Sequence, residues 1–452
     1  MAVVAPFKGM IYNFDVLGEP SNLMAPPYDV ISEEEQAGYY ARHPNNVIRL
    51  ILGKRKKGDS DWDNRYTRSA DTFTRWQSED VLLRSAAPAV YVTSLTFDLG
   101  EGRGSRTRWG LIALVRIEEE SSGGILPHER TFSAHKDDRL KLMRACNAQF
   151  SQVFGLFEDA EDRVFSPLKE AIGEASPQVA FEFVDGTRHR MWAVENPTVC
   201  KAVAEAMLDK IVFIADGHHR YETARNFRNM MQARYGHRPP NRSYEYVMMY
   251  LTNMSDKGLT ILPAHRLIKE YAGFEVGPFL EKLSTWFETR VLPAETLLNE
   301  TAQGNLKKTL AEEGQHTSAI GLYYHGSQAF HLLTLKPDMR DKMGDDLHDS
   351  LKKLDVLVLS RFVFQKSLGF TKEDLNDEKI FHYQSDMDKA IASVHAGTHQ
   401  MAFLLNPTRM DHVKEVATNG LIMPRKSTFF YPKVLTGLVF NKIDPHEIIQ
   451  IA

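Results

Sequence analysis

Five apolar residues in succession, IVFIA at positions 211–215, end at Asp216 and pass straight into a helical repeat. Tyr221, Ala224, Phe227, Met231 and Tyr235 recur at intervals of three or four, so they line one face of an amphipathic helix. A short, wholly apolar run next to turn residues suits a strand buried on both faces. The local structure read from these residues is strand, tight turn, helix. Such a strand needs covering elements on each side, which directs the chain toward a mixed α/β (α+β) architecture.

The turn itself reads Asp216-Gly217-His218-His219-Arg220. Where a strand turns sharply into a helix, several backbone N–H groups point outward with the positive end of the helix dipole behind them. Phosphate binds readily at such a place. Gly217 has no side chain to block a ligand, and Arg220 offers a planar fork of donors matched to phosphate oxygens. His218 and His219 can donate hydrogen bonds or ligate a metal, and the Asp216 carboxylate can accept a proton from a substrate hydroxyl. A purely structural explanation stands beside this one, since Asp is a favoured N-cap, Gly a common turn residue, and Arg220 can pair with Glu222. Five consecutive polar or permissive residues directly after an apolar strand favour a site.

The rest of the pattern fits the same architecture. Ser32 and Glu35 have the spacing of a capping box, opening a helix that runs to about His43. Residues 46–52 (NVIRLIL) read as a buried strand, 61–76 as a helix, and 90–99 with 108–117 as a hairpin around a glycine-rich, charged tip. Residues 137–146 have helical spacing, with Leu140, Met143 and Cys146 on one face. From about residue 275 the pattern changes to a hairpin (319–324 and 329–335), a long helix at 347–365, a strand at 401–406 and a helix at 409–419 closed by Gly420. A chain of 452 residues exceeds what one core holds. The expected division is residues 1–270, holding the turn, and a separate C-terminal α/β domain at 271–452.

Net charge is −4, and the one basic run, Lys54-Arg55-Lys56-Lys57, reads as a solvated loop, so nothing electrostatic points to nucleic acid or an anionic membrane. Two cysteines without a CxxC pair argue against a disulfide framework or a cysteine zinc site, and for a reducing cytoplasm. No window has the 18 or so uncharged apolar residues of a membrane span, and the first fifteen residues do not read as a signal peptide. A soluble protein inside the cell is expected.

Further candidates lie outside the turn. His128, Glu129 and Arg130, in a loop after the hairpin, are either a solvated charge cluster or part of a site. His265 either reaches the same site or is a structural histidine. The segment 423–433 (MPRKSTFFYPK) sets Arg425, Lys426 and Lys433 among three aromatics and two hydroxyls. It either grips an anionic ligand or a nucleotide ring, or is an ordinary surface loop. Neither a Walker-type GxxxxGK[ST] loop nor an HExxH metal motif occurs.

Long motifs in order along the chain, PFKGMIYNF, APPYDVIS, NVIRLILGK, LPHERT, FIADGHHRYETA, LTILPAHRL and MPRKSTFFYPKVLTGL, resemble the bacterial family catalogued as domain of unknown function 1015. Within them, DGHHRY is similar to the phosphate-site motif of archaeal free serine kinases, which share the fold of ParB nucleases and sulfiredoxin. That likeness implies a ParB/sulfiredoxin-like catalytic core after an N-terminal α/β section. It implies Asp216 and Glu129 as acid/base carboxylates, and Gly217, His218, His219 and Arg220 as phosphate ligands. It leaves His128, Arg130, His265, Arg425, Lys426 and Lys433 as further substrate or phosphate contacts. The implied activity is a free serine kinase or its reverse, from phosphoserine to serine, using Mg²⁺ with ATP or ADP. A homodimer is left open. The alternatives are a metal-assisted phosphatase or hydrolase, built on His128, His218, His219 and His265, and a ParB-like nucleotide-binding regulatory module without turnover. In this chain Glu129 precedes Asp216 by about twice the separation expected of a compact member of that fold.

Overall fold

The computed structural model describes residues 2–100, 104–119, 122–129, 131, 133–293, 300–377 and 379–451. They form two compact units. One is Met1–Pro127, Thr131–Thr260 and Pro432–Ala452; the other is His128–Arg130 and Ile261–Tyr431. The last residues of the chain therefore return to the first unit.

The first unit is built on a mixed nine-stranded sheet. From one edge the order is Ile125–Leu126, Val212–Asp216, Val153–Phe157, Tyr246–Asn253, Ser105–Arg116, Val90–Asp98, Arg188–Val194 and Val179–Glu182, with Val4–Ala5 also pairing to Ser105–Arg116. Val212–Asp216 runs parallel to the edge strand and antiparallel to Val153–Phe157. Val212, Ile214, Val153, Val247, Met249 and Leu251 meet Phe165, Leu168, Val203, Met207, Tyr221 and Ala224 from the covering helices in one apolar core. The apolar run at 211–215 is thus an interior strand of this sheet, and its helix partner is His218–Tyr235.

Several local readings hold. Ser32 Oγ accepts from the Glu35 N–H at 3.2 Å and Glu35 Oε2 from the Ser32 N–H at 2.7 Å, a complete capping box for the helix Glu33–Arg42. The hairpin is Val90–Asp98 with Ser105–Arg116. The helix expected from Asp137 begins a turn earlier, at Ser133, and ends at Cys146. Residues 46–52 correct the sequence reading: Ile48–Ile51 is one helical turn, not a strand. The buried Asn46 side chain accepts from the Ile48 N–H at 2.9 Å and donates to the carbonyls of Asn22 and Met24. That local side-chain bond closes an Asx-type turn ahead of the helix, and burial explains the apolar residues without a ladder.

In the second unit six antiparallel strands run in the order Phe287–Pro293, Ala329–Leu335, Ala319–Tyr324, Met401–Leu405, His265–Ile268 and Phe381–Gln384. Side chains alternate between two cores, as a period of two requires. Ile320, Leu322, Leu333, Met401 and Phe403 go to one face, against Phe279, Val413 and Val416. Ala319, Tyr323, Leu332, Ala402 and Leu404 go to the other, against Leu306, Leu310, Ile391 and Val394. The helix expected at 347–365 is broken. It forms the short helices Asp349–Lys352 and Asp355–Val358 and then the π-helical Leu359–Ser367. Arg340 takes the Lys352 carbonyl at 2.7 Å and the Ser318 hydroxyl at 2.9 Å, which removes an acceptor from the helical ladder at the break.

Candidate functional site

The strand Val212–Asp216 loses register at its last step. Ile214 pairs with Gly155, yet Asp216 pairs with Phe154, so Ala215 is an extra residue and the strand bulges. A bulge re-aims the next side chain along the strand, which here is Asp216. Gly217 comes next with φ 88° and ψ 29°, a left-handed conformation costing an L side chain about 1–2 kcal/mol. A β-carbon there would also stand 2.8 Å from the Arg220 guanidinium. Conformation and space both demand glycine. The helix His218–Tyr235 starts without a side-chain cap, and its first bond runs from the Tyr221 N–H to the Gly217 carbonyl at 3.0 Å. The N–H groups of residues 218–220 lie ahead of that bond, where the helix itself supplies no acceptor.

Asp216 is held from both sides. Lys433 Nζ donates to Oδ1 at 2.5 Å, and Arg220 Nη2 donates to Oδ2 at 2.5 Å. The other Arg220 Nη donates to the Gln152 carbonyl. The three side chains are only 10–16% exposed. Burial works to raise the Asp216 pKa, but Lys433 and Arg220, with His218 beyond them, hold it far below the usual carboxylate range. As placed, Asp216 is ionised and a poor proton acceptor. The Arg220 fork is turned inward on protein groups. His218 is buried, and the half-buried His219 ring stands 5.0 Å from the His135 ring.

Beside Arg220 lies a small cavity of about 50 Å³, bounded in part by Tyr28, Arg139, Ser151 and Thr223. The Arg139 guanidinium sits 3.9 Å from the Tyr28 ring centroid and is fixed by Asp138 and the Ile51 carbonyl. Burial pushes the Tyr28 phenol up to about 12, against the pull of Arg139. The Thr223 hydroxyl is fully buried and has no hydrogen-bond partner among the described residues. The sequence reading missed these groups. The signal was there: Arg139 falls three before Leu142 and four before Met143, a cation inside an apolar stripe.

The remaining candidates lie in the second unit. His128 is buried, its carbonyl accepts from the Met423 N–H at 2.8 Å, and Glu129 forms a β-bridge with Met423. The His128 side chain is thereby built into the unit rather than solvated, while Glu129 is half-buried. Arg130 lies outside the described residues. His265 is fully buried in the sheet, Nδ1 accepts from the Leu405 N–H at 3.0 Å, and burial pushes its pKa down to about 3. It is a neutral core residue. Arg425 borders a cavity, and Lys426 has φ 55°.

The donors at the turn suit an anion. Both Asp216 oxygens are engaged by cations, and among the described residues no group of three or more His, Cys, Asp or Glu gathers to hold a metal ion. Among the described residues, too, no helix is long and apolar enough to cross a membrane.

Residues 4–357 match the family model described as a protein of unknown function, DUF1015. The chain belongs to the DUF1015 family. The DUF1015 match takes in Glu129, the turn Asp216–Arg220 and His265, while Arg425, Lys426 and Lys433 fall beyond it. No curated protein matches the chain. Solved structures similar to it include a conserved hypothetical protein from Pyrococcus furiosus, at 11% identity and a TM-score of 0.31, over 69% of this chain and 89% of that one. A free serine kinase in complex with AMP is 10% identical, with a TM-score of 0.34 over 72% of this chain and 90% of that one. SbnI from Staphylococcus aureus, truncated at its C-terminus, is 10% identical, with a TM-score of 0.33 over 72% and 85%. At such TM-scores none of them decides the fold or the chemistry of this DUF1015 chain.

Proposed function

We propose that the chain is a phosphotransferase that moves a phosphoryl group between a nucleotide, ATP or ADP, and the hydroxyl of a small molecule, with serine and phosphoserine as the substrate pair. One observation carries the reading: a carboxylate gripped by Lys433 and Arg220 at the start of an uncapped helix. The likeness of DGHHRY to the phosphate motif of free serine kinases supports it, and with that likeness goes a ParB/sulfiredoxin-like core around the turn.

Phosphoryl transfer asks a protein chiefly for positioning and neutralised charge. In this reading phosphate oxygens bind the N–H groups of residues 218–220 and draw Lys433 and Arg220 away from Asp216. Losing two cations raises the Asp216 pKa toward the ordinary carboxylate range. The carboxylate then takes the substrate hydroxyl proton as the oxygen–phosphorus bond forms and the bond to the leaving nucleotide oxygen breaks. Phosphate binding thereby switches on the base.

The test is phosphorus NMR of the full chain with ATP or ADP, magnesium salt and L-serine, and in reverse with phosphoserine and ADP. Phosphoserine should form or disappear, and Asp216→Asn should slow it by about 10²-fold or more. Release of inorganic phosphate alone, or nucleotide binding without turnover, would overturn the transferase reading.

A further inference from the structure

Arg266 sits on the strand His265–Ile268 of the second unit and is 5% exposed. Its guanidinium donates to the backbone carbonyls of Ala264, Arg425 and Lys426 and stands 5.4 Å from the Tyr383 ring centroid. None of these neighbours carries a negative charge. Burying a cation without a counter-charge is costly, and burial pulls the Arg266 pKa down to about 10. Beside it opens a cavity of about 320 Å³, within the roughly 300–1,000 Å³ of small-molecule sites.

Arg361, Lys372 and Arg425 also border that cavity, and among the described residues no Asp or Glu does. Asp346, which pairs with Arg361, is half exposed and is not part of the wall. The rest of the lining is chemically mixed. Phe364, Phe381 and Tyr383 contribute aromatic surface, and Ser360 and Gln365 add a hydroxyl and an amide. Four of these residues, Ser360, Arg361, Phe364 and Gln365, come from the π-helical segment Leu359–Ser367. Such wide turns are rare and recur at functional sites.

We propose that this cavity binds an organic phosphate carrying a flat ring, of the size of a nucleoside monophosphate. The phosphate supplies the counter-charge that Arg266 lacks and bonds to the cations of the wall. The ring packs on the aromatic surface. The site is composed wholly of second-unit residues and is a binding site in addition to the turn at Asp216.

Calorimetric titration of the full chain with AMP, adenosine and inorganic phosphate tests it. AMP should bind more tightly than either fragment, and Arg361→Gln with Lys372→Gln should weaken AMP by about tenfold or more, the scale of losing charge-assisted bonds. These two rim positions leave Arg266 and the strand intact, and unchanged thermal unfolding of the double variant verifies the fold. Lys433→Ala, which alters the turn, should leave this AMP binding in place. AMP binding that survives the double variant but is lost in Lys433→Ala would overturn the proposal, as would no AMP binding at all. Inorganic phosphate binding as tightly as AMP would overturn the ring-bearing class.

Discussion

The two units treat a buried charge in opposite ways. In the first, Asp216 lies between Lys433 and Arg220, each at 2.5 Å, and the charge is compensated inside the protein. In the second, Arg266 is buried as deeply but meets only carbonyls and the Tyr383 ring. A compensated carboxylate is stable and unreactive, so chemistry there needs a ligand that competes for its cations. An uncompensated cation is maintained at a cost that an arriving anion removes. The same physics thus underlies both proposals, a base released by phosphate in one unit and an anion site in the other.

The largest effect that can break this comparison comes from Asp216→Ala. It strands Lys433 and Arg220 without their counter-charge, and removing one partner of a buried pair costs about 3–5 kcal/mol. Denaturant unfolding measures it. A variant as stable as the parent would mean that the two cations are not confined by Asp216 and that the first unit is no better compensated than the second. Gly217→Ala comes next, with an expected loss of about 1–2 kcal/mol from the left-handed backbone, plus the push of the new β-carbon on Arg220. Because Arg220 would shift, Asp216 should become easier to protonate, which carboxyl NMR can follow.

Third is a pH effect that buried histidines contribute in both units, His189 in the first and His265 in the second. His265 has its folded pKa lowered to about 3, so the unfolded chain takes up a proton near the ordinary value while the folded chain does not. Its contribution is therefore present above about pH 6.5 and is lost as pH falls, by up to about 1.4 kcal/mol per unit. Asp216 also has a lowered folded pKa, but its contribution persists until pH drops below the ordinary carboxylate value of about 4. Unfolding midpoints at pH 7, 6 and 5 should fall for the parent and fall less steeply for His265→Gln, part of the remaining slope coming from His189, whose pKa burial also pushes down to about 3. Equal slopes would show that His265 gains its proton without unfolding. The smallest effect is expected at Lys136–Glu222, a 3.3 Å pair with both side chains more than 20% exposed. Lys136→Ala should cost below about 1 kcal/mol; a larger loss would mean that compensation counts even where water reaches the pair.

The elements that could be read in advance are those whose signal is local. The hairpin at Val90–Asp98 and Ser105–Arg116, the capping box at Ser32 and the strand–turn–helix at Asp216 each arise from neighbours in sequence. The turn at Ile48–Ile51 was hidden because a short apolar run is buried equally well as strand or helix, and the buried Asn46 side-chain bonds favoured a turn. The break near Lys353 was hidden because its cause is Arg340, which takes a carbonyl twelve residues away.

The candidate site divides along the same line. The sequence by itself determined that Asp216 through Arg220 form a strand-to-helix turn, because an apolar strand, a glycine and a helical repeat are all short-range facts. It also raised Arg425, Lys426 and Lys433 as either cations for an anionic ligand or parts of an ordinary surface loop. Only the tertiary structure decided that Lys433 comes back 217 residues to grip Asp216, that the Arg220 fork faces inward, and that Arg266 is buried without a carboxylate. The reason is physical. Periodicity and propensity act over one or two turns of chain, whereas the charge state of a buried group depends on which distant residues folding places within a few ångströms of it.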